Sequence, residues 1–400
     1  MQEARCSAGN RTAQARRGEA CVAGWPQNKR IHRGRSLGWI GVAAVVVATA
    51  VATCAVVSAT DAFTTRHEKP FPVSSSMREE RGSTDAVPDR LTNSDPRAAI
   101  EIARSALDAA PMTDLVSVFD AATGAARELD NKEAPEVVRA VDAFHEAGYE
   151  VGFVVYDFSV QRGMNYNADE AFFCASTMKA PFVVYAVQDE IDLGFASFED
   201  MVIEDVAVEG TGVMAFDDKE EYRLEDVLAN AIVHSDNTGY ALLRERFSYG
   251  NFESWCAAAG VDAWAWEGEW YPYCTPLDLA KLWLNVGSYV AAGQGHASWC
   301  AGLLSQTDSS FLRAALGARG TVLSKPGFEI NTPQTGAGAL NDAGVVLAGD
   351  GPYVVAIMSD ADYDSDYFTD NERLIVDLAA ALGAARDKVL VHPTVQEVRS

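Results

Sequence analysis

The sequence predicts an α+β fold whose antiparallel sheet is sewn from both ends of the folded region. Three observations lead there. Strand-like runs at 149–160 and 164–172 precede a mostly helical stretch from about 176 to 320. Strand-like runs return at 321–328, 343–349 and 352–360. A helical pattern from Asn371 to Ala385 then closes the chain.

The elements follow from the N-terminus. Residues 1–60 hold 8 Lys and Arg against 2 Asp and Glu, leaving 24 against 55 in the other 340 residues. The net charge of −25 excludes nucleic acid as a partner, because phosphate binding needs clustered cations. Ser36 to Thr60 is an uncharged run of 25 residues, mostly Ala and Val. About 20 apolar residues cross a bilayer as a helix. Arg16, Arg17, Lys29, Arg30, Arg33 and Arg35 precede the run, so residues 1–35 are expected in the cytoplasm and the acidic body outside. The membrane is thus an expected partner through 36–60. Val57-Ser58-Ala59 also resembles a signal cleavage site, which would instead release a secreted protein.

Residues 61–97 are polar and Pro/Ser-rich and read as a tether. The spacing of Ile100, Ile102, Leu107 and Leu115 predicts a short helical stalk over 98–130, so 61–130 is linker and stalk and 131–395 is the main domain. Pro135 to His145 reads as an amphipathic helix with its proline in the first turn. A turn at Gln161-Arg162-Gly163 joins the first two strands, and Gly349-Asp350-Gly351 joins the last two. Cys174, Cys256, Cys274 and Cys300 allow two disulfides in three connectivities. Cys256 and Cys274 are nearest in sequence, but spacing does not choose. The six His show no H-x₃-H pair and no C-x₂-C occurs, so no metal or cofactor is expected.

Three short motifs carry the chemistry: Ser176-Thr177-Met178-Lys179, Ser235-Asp236-Asn237 and Lys325-Pro326-Gly327. The first opens a helix directly after a strand, which puts Lys179 one turn beyond Ser176 on the same side. A serine hydroxyl needs a base within hydrogen-bond reach to become a nucleophile. A buried lysine of lowered pKa supplies one, and helix N–H groups favour a developing oxyanion. Each motif alone has a plain reading: an N-cap serine, a helix cap, a turn. Three in order, in the fitting helix and strand settings, are a far rarer coincidence.

Together they resemble the S-x-x-K, S-D-N and K-T-G signature of class A β-lactamases and low-molecular-weight penicillin-binding proteins. The likeness spans roughly 131–390 and is close in FFCASTMKAPF and AIVHSDNTGYALL. It implies a five-stranded antiparallel sheet packed with helices, plus an all-helical subdomain. It also implies Ser176 as the acylated nucleophile, Lys179 as its base and Ser235 as the relay to the leaving nitrogen. Asn237 would hold the substrate amide, and Lys325 would add positive charge near the substrate carboxylate. The N–H groups of Ser176 and Phe328, beside Gly327, would form the oxyanion hole. The implied partner is a small molecule, a β-lactam or a peptidoglycan peptide.

Two departures bear on the activity. Pro326 stands where the signature has Thr or Ser, and proline offers neither hydroxyl nor N–H. Class A enzymes also deacylate with a glutamate-activated water, from a loop before a Thr-Pro helix start. Here VDAWAWEGEWYPYC precedes Thr275-Pro276 and is shorter than that loop usually is. Glu267 and Glu269 are the only acids in the second half of this stretch, and Glu267, after Trp266, is the preferred deacylation acid; a solvated loop acid is the plain alternative. Trp264, Trp266, Trp270 and Tyr271 either fill core or line the groove. The lead reading is a serine hydrolase outside the membrane, and the second is a slow-turnover sensor or catalytically weak binding module.

Overall fold

The computed structural model describes residues 96–247, 249–262, 271–333, 335–363 and 371–393. Its strands are β1 Ser117–Asp120, β2 Ala126–Glu128, β3 Val151–Asp157, β4 Arg162–Tyr166, β5 Phe172–Phe173, β6 Met201–Ile203, β7 Glu221–Arg223, β8 Tyr273–Cys274, β9 Gly320–Glu329, β10 Ala339–Ala348 and β11 Gly351–Ser359. The α-helices are α1 Pro96–Asp108, α2 Pro135–Glu146, α3 Lys179–Tyr185, α4 Leu224–Val233, α5 Asn237–Arg246, α6 Tyr249–Ala258, α7 Pro276–Ala292, α8 Ala297–Leu304, α9 Phe311–Leu316 and α10 Glu372–Ala385.

The main sheet runs β2-β1-β4-β3-β11-β10-β9, every neighbouring pair antiparallel. Its centre joins the two ends of the folded region, because β3 pairs with β11 from Val151↔Ser359 to Asp157↔Tyr353. Side chains alternate across a strand, and the core divides accordingly. Val151, Phe153 and Val155 of β3 face a cluster with Val141 and Phe144 of α2 and Leu378 and Leu382 of α10. Val154 and Tyr156 face the other cluster, with Trp283 of α7 and the helices between β5 and β9. Both faces are covered, which is why β3 and β11 read as near-continuous apolar runs.

The sheet has seven strands rather than five. The extra pair, β1 and β2, lies inside the stretch read as a helical stalk. Ser117–Asp120 pairs with Arg162–Asn165 of β4, and Phe119 crosses Gly163, where a Cβ would come within 2.2 Å of its ring. Helical spacing does hold over α1, but α1 is not a stalk. Ile100, Ala103 and Leu107 are buried, Arg104 Nη2 donates to Asn285 Oδ1 at 3.0 Å, and Lys281 of α7 meets Asp108 at 2.5 Å. The folded body therefore takes in residues 96–130 as well. The basic segment, the span over 36–60 and the tether up to residue 95 lie outside the described residues.

Two features set the frame of the site. Helix α7 is fixed at both ends: a capping box links Thr275 and Asp278, Pro276 begins the helix, and Gly293 ends it with φ 62°. Strand β9 is an edge strand, the position where a sheet tolerates proline, so Pro326 sits in it opposite Asp342.

Candidate active site

The free edge of β9 lies against the turn that carries Ser176. That turn is a 3₁₀ segment, Ala175–Met178, running directly into α3 at Lys179. Ala175 has φ 45°, in the left-handed region that costs a non-glycine residue about 1 kcal/mol or more. Its flanks hold it there. Thr177 Oγ1 donates to the Cys174 carbonyl at 2.7 Å, and Asn341 Nδ2 donates to the Phe173 carbonyl at 2.8 Å. Cys174 is disulfide-bonded to Cys274, which ties the turn to β8. Cys256 and Cys300 are buried free thiols, so the pair nearest in sequence is not the bonded one. Sequence nearness and spatial nearness differ here: β5 brings Cys174 to β8, while Cys256 faces inward from α6.

The fit between β9 and the turn depends on Gly327. A Cβ there would stand 2.6 Å from Thr177 N and 2.7 Å from both Ser176 N and the Cys174 carbonyl oxygen. The third motif thus needs glycine because backbone meets backbone. Phe328, the next residue, is half-buried and packs edge-on against Tyr363 and Phe311.

Lys179 is wholly buried. Its Nζ donates to the Ser235 carbonyl at 2.5 Å, to Asn237 Oδ1 at 2.8 Å and to Ser235 Oγ at 3.3 Å. Burial holds its pKa well below the ordinary lysine value, the charge of Lys325 adds to this, and Asp236 opposes it. Asp236 is too engaged elsewhere to pair with the amine. Its carboxylate accepts from the N–H groups of Val213, Met214 and Gly239. Ser235 itself has φ 52°, a second strained residue beside the first.

Lys325 is buried on β9 and donates to the Pro326 carbonyl at 3.0 Å. Burial lowers its pKa to about 7, against the pull of Asp342 and Asp308. Asp342, across the ladder from Pro326, is raised by burial to about 6 and accepts from Leu312 N and Ser310 Oγ. The third motif therefore carries a cation whose charge is already partly offset.

Ser176, Lys179, Ser235, Asn237 and Lys325 thus gather at one edge, with Gly327 against the Ser176 backbone. Glu267, with Trp264, Trp266, Glu269 and Trp270, lies outside the described residues. Of two further contributors, the first had no role in the sequence reading and the second was read only as core or groove lining. Thr211 Oγ1 donates to the Ser235 carbonyl at 2.6 Å, and Tyr271 Oη donates to Asn237 Oδ1 at 2.9 Å. The signal for Thr211 is its setting between Gly210 and Gly212, at φ 116° and 110°; added Cβ atoms would strike Asn237 and Asp236. Among the described residues no group of three or more His, Cys, Asp or Glu forms a metal-ligand cluster.

The fold and the match to a family model support a serine hydrolase of the β-lactamase type. The chain belongs to the β-lactamase enzyme family, whose model matches residues 136–385. A β-lactamase from Sphaerobacter thermophilus is similar in structure at TM-score 0.53 and 24% identity, covering 65% of this chain and 98% of that one. A β-lactamase from Chitinophaga pinensis matches at TM-score 0.54 and 20% identity, covering 64% and 99%. A mutant of PBP-A, in an acyl-enzyme complex with penicillin G, matches at TM-score 0.52 and 20% identity, covering 65% and 97%. No curated protein matches the chain in sequence.

Proposed function

We propose that this protein is an extracytoplasmic serine hydrolase that forms an acyl-enzyme at Ser176 with a β-lactam or a D-Ala-D-Ala-type amide. One observation carries the reading: a fully buried lysine of lowered pKa lies one turn after Ser176 and reaches the Ser235 hydroxyl. As a neutral amine, Lys179 takes the Ser176 proton while Oγ bonds to the substrate carbonyl carbon. The resulting oxyanion is received by the N–H groups of Ser176 and Phe328. The proton then passes through Ser235 to the leaving nitrogen as the C–N bond breaks, with Asn237 holding the substrate amide. Water later releases the acyl group. The basic flank and uncharged run over 36–60 support an anchored body facing outward.

Intact-protein mass spectrometry of the full chain with a penicillin, followed over time, tests this. The mass of one penicillin is expected on wild type and none on Ser176→Ala. Equal labelling of both would remove Ser176 from its role.

Pro326 favours a second reading, a slowly turning-over sensor, because the position that ordinarily offers a hydroxyl to the substrate carboxylate has none. Lys325, partly offset by Asp342 and Asp308, compensates poorly. Pro326→Thr is expected to speed acylation about tenfold, the worth of about one hydrogen bond to a charged group, with a smaller effect on deacylation. Stopped-flow acylation and mass-resolved decay measure the two steps separately. An unchanged acylation rate would mean the carboxylate is held elsewhere.

A further inference from the structure

The Lys179 amine has two aromatic faces near it. Its Nζ lies 5.8 Å from the ring centre of Tyr240 and 5.7 Å from that of Tyr271. The two rings are 5.5 Å apart. Asp236, the acid whose charge acts on the amine, spends its carboxylate on three backbone N–H groups. Tyr240 comes from α5 and is wholly buried. Tyr271 precedes β8, where Cys174 N donates to the Pro272 carbonyl at 2.9 Å and the Cys174–Cys274 disulfide pins the next turn. The Tyr271 ring is thereby fixed to the same backbone that carries Ser176.

We propose that Tyr240 and Tyr271 form an aromatic cage that stabilises the Lys179 ammonium, and that the Tyr271 hydroxyl fixes the Asn237 amide so that its oxygen faces that amine. Both tyrosines are positioning residues, and the inference rests on the function proposed above only for its kinetic consequence. The geometry supports each part. Asn237 Oδ1 accepts from both Tyr271 Oη and Lys179 Nζ, while Asn237 Nδ2 donates to the Glu209 carbonyl at 3.2 Å, so the amide has one satisfied orientation. A cation over a desolvated ring face is held more strongly than one in water. The cage therefore acts when Lys179 carries the proton taken from Ser176 Oγ and relaxes when that proton moves on through Ser235.

Several charged groups share this space. Lys325 on β9 repels the ammonium and Asp236 attracts it. Arg244 of α5 lies 5.8 Å from the Tyr240 ring and competes for that ring. Glu329 at the end of β9 acts on Tyr271. Burial keeps the Tyr271 phenol protonated, so it serves as a donor and not as a base.

The cage raises the Lys179 pKa, against burial, so removing a ring lowers it further. The test is an NMR titration of lysine side-chain ¹³C signals in the full chain, with Lys179→Met used to assign the resonance. Tyr271→Phe keeps the ring and loses the hydroxyl; Tyr271→Leu loses both. Relative to wild type, Tyr271→Leu is expected to lower the Lys179 midpoint by roughly 0.5–1 pH unit, and Tyr271→Phe by much less. If Tyr271→Leu does not fold, Tyr271→Met supplies the same comparison. An unmoved midpoint without the ring, or an equal shift in Tyr271→Phe, overturns the cage. The titration needs no substrate, so it stands apart from labelling at Ser176. Where labelling does occur, the low-pH limb of the acylation profile should move with the same midpoint, and Tyr271→Phe should lower the plateau without moving the limb.

Discussion

Lys179→Met is expected to slow acylation of Ser176 by about 10²–10⁴, the usual cost of losing a placed general base. The same change is expected to raise stability by about 1 kcal/mol, because a buried ionisable group often costs more than an apolar one of similar volume. Two of the three acceptors of Lys179 keep another donor after the change. The Ser235 carbonyl keeps Thr211, and Asn237 Oδ1 keeps Tyr271. The pH dependence has a definite sign. The folded pKa is well below the ordinary value of 10.5, so between those two values the unfolded chain binds a proton that the folded one does not. Wild-type stability from this group therefore rises with pH across that window. The lead of Lys179→Met should be widest below the window and shrink through it. Acylation by wild type needs the neutral amine, so its rate should rise through the depressed pKa and be near its plateau well below pH 10.5. Denaturant melts at several pH values and stopped-flow labelling check both halves. A destabilised variant with full acylation would contradict the role proposed for this amine.

Gly327→Ala is expected to cost acylation about 10²-fold, with about 1–3 kcal/mol of stability. The added methyl would stand 2.6–2.7 Å from three backbone atoms of the nucleophile's turn. None of those is the tip of a flexible side chain, so either β9 or the turn must move. A shift of that order separates the Phe328 N–H from the Ser176 N–H, and a displacement near 1 Å is enough for such a loss. The effect should appear in the acylation rate and in the chemical denaturation midpoint together. Wild-type rates in Gly327→Ala would mean that the edge of β9 does not shape the oxyanion site.

These two residues differ in how visible they were beforehand. Lys179 follows from spacing, since a residue three after a helix-opening serine must lie one turn on. Gly327 was visible as a motif letter, but its reason was not, because the backbone it meets lies about 150 residues earlier in the chain. Leu115 shows the opposite error. Its spacing suits a helix, yet the following residues pair with β4, and a short run of apolar residues supports either period.

By itself the sequence determined the α+β class with strands from both ends around a helical middle, the three motifs and the glycine-proline punctuation around them. Those depend on periodicity and local backbone chemistry, which neighbouring residues carry. Only the tertiary structure decided the two added strands, the Cys174–Cys274 bond across 100 residues, and the placing of Thr211 and Tyr271 against the second motif. It alone decided that Lys179 lies wholly buried with Lys325 near enough to lower its pKa. Such contacts join segments far apart in the chain, so their energy depends on distances that no local pattern records.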